Sequence, residues 1–359
     1  MISYRKNNRV FNKMNKSIRL LTDRDVHEWN NFVMTSQHST CYHQIAWKKV
    51  IEKSFGHKTF YLMSEDGIGG IDGILPLALL KSRLFGSFLV SLPYFNYGGA
   101  CASNQESLNK LLSAAKLLAT ETNAEHIELR HTALLYCDLP VKTSKVAMRL
   151  TLPSDVELLF KSFSAKLRSQ IRRPQKERMV PKIGTADQLD NFYAVFSENM
   201  RNLGTPVYSK SFFRNILGAF PQTTWICTII TKDGLPVASG FLVGFKDRLE
   251  IPWASSLRKY NSLSPNMLLY WSALEFACEK GYRIFDFGRS TPGEGTYRFK
   301  EQWGAKPVQL YWHYWLKEGR SLPELNPHNP KYQLAIRLWK KLPVPVTRIL
   351  GPMIVRNLP

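Results

Sequence analysis

The sequence runs through the same order of elements twice, and no other feature constrains the fold as tightly. In the first pass, helical segments over 25–53 lead to a strand at 59–64, the turn Glu65-Asp66-Gly67, strands at 71–80 and 84–92, a helix over 105–122 and a strand at 125–130. In the second, helices over 186–217 lead to a strand at 224–231, the turn Lys232-Asp233-Gly234, strands at 236–245 and 248–253, a helix over 263–280 and a strand at 282–287. Each Asp-Gly between apolar runs is a hairpin signal. A hairpin followed by a strand, a long helix and another strand predicts a mixed sheet with helices on both faces. The expectation is an α/β (α+β) chain of two tandem domains, 21–152 and 153–320. The hinge falls over 139–154, where Pro140 and Pro153 flank a strand-like run at 145–152. A basic arm (1–20) and an amphipathic tail (321–359) complete the chain.

Charge is unevenly placed. The chain carries a net charge of +21, and nearly all of it sits in three stretches: 1–20 with six Lys/Arg and no acid, 161–183 with eight against Glu177, and 325–359 with six and no acid. Local cationic patches on otherwise near-neutral domains point to a phosphate-rich partner, RNA or an anionic membrane. The five cysteines are odd in number and far apart, which suggests neither a disulfide framework nor a zinc site and fits a reducing cytosol. No run of 18 apolar residues and no signal-peptide core occurs, so the expected location is cytoplasmic. In the tail, Lys331 to Lys341 is amphipathic and Val344 to Val355 is apolar but interrupted by Pro345, Gly351 and Pro352. Such a segment either lies on a membrane surface or packs back on the second domain.

The densest chemical signal is Phe285-Asp286-Phe287-Gly288-Arg289, then Gly293-Glu294-Gly295-Thr296-Tyr297-Arg298-Phe299-Lys300 and Trp303-Gly304-Ala305. It reads as a strand end, a glycine turn and a lone lysine. That is either a sheet-edge active site or a tight turn with Asp286 capping it and Lys300 solvated. Asp-Phe-Gly alone does not make a kinase, because the His-Arg-Asp loop and the phosphate-covering glycine loop are missing. A Walker A loop is missing too, and Gly67-Ile68-Gly69-Gly70 lacks dinucleotide-fingerprint spacing.

The element order is that of GNAT acyltransferases. With the Phe285–Gly288 strand end, Phe299-Lys300 and Trp303-Gly304-Ala305 on a duplicated framework, the chain resembles the Fem-type peptidyltransferases, the FemAB family. Gly288-Arg289-Ser290-Thr291, Gly295-Thr296-Tyr297 and the Leu-Pro ending look like the members associated with PEP-CTERM and exosortase systems. The resemblance implies tandem GNAT-like domains that transfer an amino acid from aminoacyl-tRNA to an amine on a cell-envelope precursor. It implies no metal or cofactor, with acyl-CoA as the alternative donor. The acceptor would be a peptidoglycan precursor, an exported polysaccharide or a lipid-linked sugar amine, met by a monomer at the inner face of the membrane. By the same resemblance Lys300 steadies the tetrahedral oxyanion, and Arg201 faces anionic groups of the acceptor. Tyr208 and Tyr297 either line the same cleft or fill aromatic core at the domain seams, and Arg289 and Phe299 are further expected substrate contacts.

Asp286 and Glu294 are alternative general bases, with substrate-assisted deprotonation a third route. Lys166, Arg168, Arg172 and Arg173 share a broad helical face, which is either a contact for RNA backbone or pyrophosphate, or a solvated basic surface. A non-catalytic membrane- or nucleic-acid-binding protein using the three basic stretches is the reading outside enzymes; no recognised reader motif accompanies them.

Overall fold

The computed structural model describes residues 17–82, 86–323 and 330–358, with the side chains of 330–332 left outside the description. The basic arm up to residue 16 and the tail segment 324–329 therefore lie outside the described residues, as do the Lys331 and Tyr332 side chains.

Along the chain, β1 (Ile18–Leu20) precedes helices α1 (Val26–Thr35) and α2 (Ala46–Phe55) and strands β2 (Lys58–Glu65), β3 (Ile71–Ser82), β4 (Gly86–Val90) and β5 (Cys101–Ala102). Helix α3 (Gln105–Thr122), β6 (His126–His131), β7 (Val141–Lys142) and β8 (Val146–Thr151) follow. Next come α4 (Val156–Ser162), α5 (Ala165–Lys176), β9 (Val180–Gly184), α6 (Leu189–Leu203), α7 (Lys210–Ala219), β10 (Thr224–Ile230), β11 (Pro236–Phe245) and β12 (Arg248–Ser256). The chain continues through α8 (Pro265–Glu279), β13 (Ile284–Ser290), α9 (Gly295–Glu301), β14 (Lys306–Gln309), β15 (Tyr311–Leu316), α10 (Pro330–Lys341) and α11 (Val344–Val355).

Local chemistry fixes these boundaries. The Asp66 carboxylate accepts the N–H groups of Ile68 and Gly70, closing the β2–β3 hairpin. In the β10–β11 hairpin Gly234 takes φ +83°, and its N–H donates to the Thr231 carbonyl at 2.9 Å. Helix α3 starts where the Asn104 side chain accepts the Ser107 N–H and stops at Asn123 in the left-handed region. Helix α8 opens with Pro265 in its first turn, where the missing donor costs nothing.

Two sheets result, each mixed. The first is ordered β1-β2-β3-β4-β6-β15-β7 with β5 on β3, and the second β14-β8-β13-β12-β11-β10-β9. In each, a long helix connects a parallel pair: α3 joins β4 to β6, and α8 joins β12 to β13. The doubling expected from sequence is thus the architecture.

The described residues form two compact units, those within 17–144 with 309–323 and 357–358, and those within 145–308 with 330–356. These bounds differ from the expected 152/153 division for a physical reason. Strand β8, read as hinge, is hydrogen-bonded to β13 in the second unit, and β15, from the end of the second copy, is hydrogen-bonded to β6 in the first. Residues 18–20, assigned to a basic arm, instead form β1 on β2, and Arg19 pairs with Asp25 at 2.6 Å and with Glu65. The apolar tail segment is helical despite its prolines: Pro345 lies in the first turn of α11 and Pro352 is accommodated within it.

The first core packs α3 through Leu111, Ala115 and Leu118 against Leu62, Leu75, Leu89 and Ile127. The second packs α8 through Leu269, Ala273 and Leu274 against Val237, Leu249, Phe285 and Phe287. Each fully buried Leu or Phe contributes about 1.5–3 kcal/mol.

Candidate active site

The site lies in the second unit, where two parallel strands part. β12 and β13 are paired only over Arg248–Glu250 against Ile284–Asp286. Beyond that point β12 continues to Ser256 on β11 alone, while β13 continues on β8. A register shift between Asp286 and Arg289 coincides with Gly288 at φ +73°, a backbone state that glycine adopts without steric cost. Alternation along β13 turns Phe285 and Phe287 toward α8, where Phe287 stacks on Tyr270 at 5.5 Å, and Asp286 toward the opposite face.

Asp286 is 0% exposed. Its carboxylate accepts from Arg149 Nε on β8 at 2.9 Å and from the Gly288 N–H at 2.8 Å. Glu250, 2% exposed, is its Cα partner on β12. Arg149, Asp286 and Glu250 therefore form a row of ionisable side chains across three neighbouring strands on one face. Charges in such a place must be paired or functional.

Lys300, near the end of α9, completes the arrangement. Its Nζ donates to the Gly288 carbonyl at 3.1 Å and to the Arg289 carbonyl at 2.9 Å, and the residue is 7% exposed. Burial lowers its pKa to about 8 by stripping water from the ammonium, and the Arg289 cation adds to this; Asp286 and Glu250 pull the other way. A linked chain results: Arg149 fixes Asp286, Asp286 fixes the bulge at Gly288, and the bulge carbonyl fixes Lys300.

Of the other residues singled out from sequence, Arg289 is exposed beside this cradle. Tyr297 and Phe299, both half-buried, line the neighbouring core, with the Phe299 ring 5.0 Å from Tyr270. Glu294 is exposed at the N-cap of α9 and makes no capping bond. Arg201 is committed elsewhere, its guanidinium donating to the Leu342 carbonyl at 2.8 Å and to the Asn202 side chain. Tyr208 packs on Phe212 and Trp253. On α5, Arg168 donates to the Phe163 and Lys161 carbonyls and Arg172 lies over the Phe160 ring, whereas Lys166 and Arg173 are exposed.

Sequence reading missed Arg149 and Glu250. The signal was present: each is a lone charge inside an apolar run, Ala147-Met148-Arg149-Leu150 and Leu249-Glu250-Ile251, and a charge in a strand covered on both faces needs a partner. All five cysteines are free. Among the described residues no group of three or more His, Cys, Asp or Glu could hold a metal ion, and no helix is long and apolar enough to cross a membrane.

The acetyltransferase (GNAT) domain family matches residues 161–301, a span that includes the parting strands and Lys300. No curated protein matches the chain. Among solved structures, FemX is similar with a TM-score of 0.63 and 15% identity, covering 89% of this chain and 99% of FemX. The C-terminal domain of a protein assigned as a lysylphosphatidylglycerol synthetase in Agrobacterium fabrum is similar with a TM-score of 0.53 and 12% identity, over 88% of this chain and 95% of that one. A tandem GNAT protein from the clavulanic acid biosynthesis pathway is similar with a TM-score of 0.52 and 14% identity, over 85% and 99%. Residues 161–301 thus match a GNAT acetyltransferase domain, and the fold as a whole is similar to that of FemX.

Proposed function

We propose that this protein is an N-acyltransferase of the Fem type, joining an acyl or aminoacyl group to an amine of a cell-envelope precursor. Lys300 carries the reading. An ammonium has three N–H donors, and two of Lys300's are held by the Gly288 and Arg289 carbonyls. The third is available to an oxyanion in a nearly dry setting, where a fixed donor acts more strongly than in water.

In the proposed reaction the acceptor amine attacks the donor's ester carbonyl, and the carbonyl electron pair moves onto oxygen, where Lys300 stabilises it. Collapse re-forms the carbonyl as an amide and expels the donor oxygen or sulfur, which leaves protonated. The proton lost by the amine passes to a carboxylate, which hands it on to the departing oxygen or sulfur. Glu250 suits that part because its charge acts on Lys300 from the adjoining strand. Asp286, engaged by Arg149 and Gly288, suits a positioning part, and Glu294 is the exposed alternative acceptor of the proton. Arg289, Tyr297 and Phe299 would meet the substrates beside the cradle, with Tyr208 further along the unit.

Aminoacyl-tRNA is the proposed donor. The FemAB resemblance and the exposed Lys166 and Arg173 on α5 support it. Acyl-CoA is the second reading, favoured by the exposed Arg258 and Lys259 in the turn leading into α8, since a helix N-terminus with nearby cations suits a pyrophosphate. The likeness to a lysylphosphatidylglycerol synthetase domain supports a lipid-borne acceptor, and the subgroup resemblance at 288–291 and 295–297 supports an exopolysaccharide setting of the PEP-CTERM type.

The test incubates wild type and Lys300→Ala with charged tRNA, acetyl-CoA and a cell-envelope precursor extract, and reads acyl transfer by mass spectrometry. Amino-acid transfer that needs Lys300 is the expected result. Transfer from CoA would move the protein to the acyl-CoA-dependent enzymes, and transfer at full rate by Lys300→Ala would overturn the assignment of Lys300.

A further inference from the structure

Helix α11 is amphipathic in an inverted sense. Its inward stripe, Thr347, Gly351 and Val355 at spacings of four, is small and buried. Gly351 lies so close to Val207 that an added Cβ would meet the Val207 backbone N and O at 2.8 Å. Its outward stripe is Val346, Ile349, Leu350, Met353 and Ile354, at helical spacings of three and four, and all five are exposed, Ile349 by 70% and Met353 by 64%. On α10, Leu334 and Leu338, one turn apart, are exposed by 58% and 57% while Trp339 is buried. Seven of the fifteen exposed large hydrophobics among the described residues thus fall within 334–354. Single exposed leucines are ordinary on a soluble surface, but a concentrated set signals an interaction site.

The helices that carry these residues are fastened to the second unit. Arg201 donates to the Leu342 carbonyl at 2.8 Å, Arg348 Nε donates to Ser197 Oγ at 2.9 Å, and Gly204 approaches Ile336 closely enough that a Cβ there would meet it at 2.5 Å. The outward stripe is therefore presented on a fixed support.

Charge selects the occupant. Arg337, Lys340, Lys341, Arg348 and Arg356 are exposed on or beside the two helices, and no acidic residue occurs from 325 to the end. Apolar side chains flanked only by cations suit a layer that is apolar below and anionic above. Self-association through the same face would bring like charges together.

We propose that the outward faces of α10 and α11 form an interfacial anchor that enters an anionic lipid surface, with the Val346–Ile354 stripe in the acyl boundary and Arg337, Lys340 and Lys341 at the headgroups. The anchor stands on surface chemistry and does not depend on the catalytic reading. The test is flotation of the full-length protein with vesicles of phosphatidylcholine and phosphatidylglycerol in equal parts, and with phosphatidylcholine alone, alongside its solution mass.

Wild type is expected to float with the anionic vesicles and weakly or not at all with the neutral ones. Ile349→Asp combined with Met353→Asp is expected to reduce partitioning roughly tenfold or more with an unchanged unfolding midpoint, because both side chains are exposed. Lys340→Glu with Lys341→Glu is expected to abolish the preference for anionic lipid. Failure of wild type to float, or equal flotation of the Asp variant, would overturn the anchor. So would a wild-type dimer that the Asp variant converts to monomer, which would make the face a contact between copies.

Discussion

Arg149 and Asp286 tie β8 to β13 through a 2.9 Å ion pair in which the aspartate is wholly buried and the arginine partly so. The other oxygen of the same carboxylate holds the Gly288 N–H, so one side chain joins two strands and the bulge that seats Lys300. Asp286→Ala would take from the Arg149 cation the buried carboxylate it is paired with. A loss of about 3–5 kcal/mol is expected from denaturant unfolding, with Asp286→Asn losing less because the amide oxygen still accepts. An Asp286→Ala protein as stable as wild type would remove the bracing role.

Lys300 connects activity to pH with a definite sign. Its ammonium is needed charged, and burial brings its pKa from 10.5 to about 8. The rate is therefore expected to fall as pH rises through about 8. Between about 8 and 10.5 the unfolded chain holds a proton that the folded chain lacks, so this group's contribution to stability rises with pH over the same window. Lys300→Gln should lose roughly a hundred- to a thousand-fold in rate while still unfolding cooperatively. A pH–rate profile set against unfolding midpoints checks both trends.

Much of this was legible beforehand where local rules dominate. The Asp-Gly hairpins, the helix at Gln105–Thr122 and the strand at Pro236–Phe245 follow from turn chemistry and periodicity, and the structure has them at those positions. Lys300 was legible because a lysine after a glycine turn is conspicuous. Its two carbonyl partners were not, since they depend on a bulge set by the pairing of β8 with β13. Glu250 and Arg149 were visible as lone charges in apolar runs, but their alignment with Asp286 was not, because only strand register brings the three into one row. The partner of β15 was equally invisible, because Tyr311–Leu316 pairs with His126–His131, far back in the chain.

Gly351 offers a test of helix packing. In a free helix Gly→Ala is worth about 1 kcal/mol in favour of alanine. Here the Cβ would strike the Val207 backbone at 2.8 Å. Gly351→Ala is accordingly expected to destabilise by roughly 1–3 kcal/mol, read as a lower thermal midpoint. A raised midpoint would mean that α11 is not seated on Val207.

In the first unit, His131 and His313 are buried with their Nδ1 atoms 3.1 Å apart. The Ala100 N–H donates to His131 Nε2, which leaves the proton of His131 on Nδ1, pointed at His313. Burial lowers both pKa values, that of His313 to about 4 and that of His131 well below its usual range, with the imidazoles of His313 and His43 adding to the latter. Both rings stay neutral in the fold and take up protons on unfolding. Stability present above pH 6.5 is therefore expected to decline as pH falls toward 4, by up to about 1.4 kcal/mol per pH unit for each imidazole. Unfolding free energies measured across that range should show a shallower slope in His313→Gln.

The exchanged strands reach into how the chain is made. β6 has β4 on one side and β15 on the other, and β15 belongs to residues 311–316. During synthesis the first sheet keeps an open edge along His126–His131 until Tyr311–Leu316 has left the ribosome, and an uncovered strand edge recruits other chains. A fragment ending at Ser144 would carry that edge permanently and is expected to aggregate, so the first copy, although built like the second, cannot be cut free of it without baring a strand.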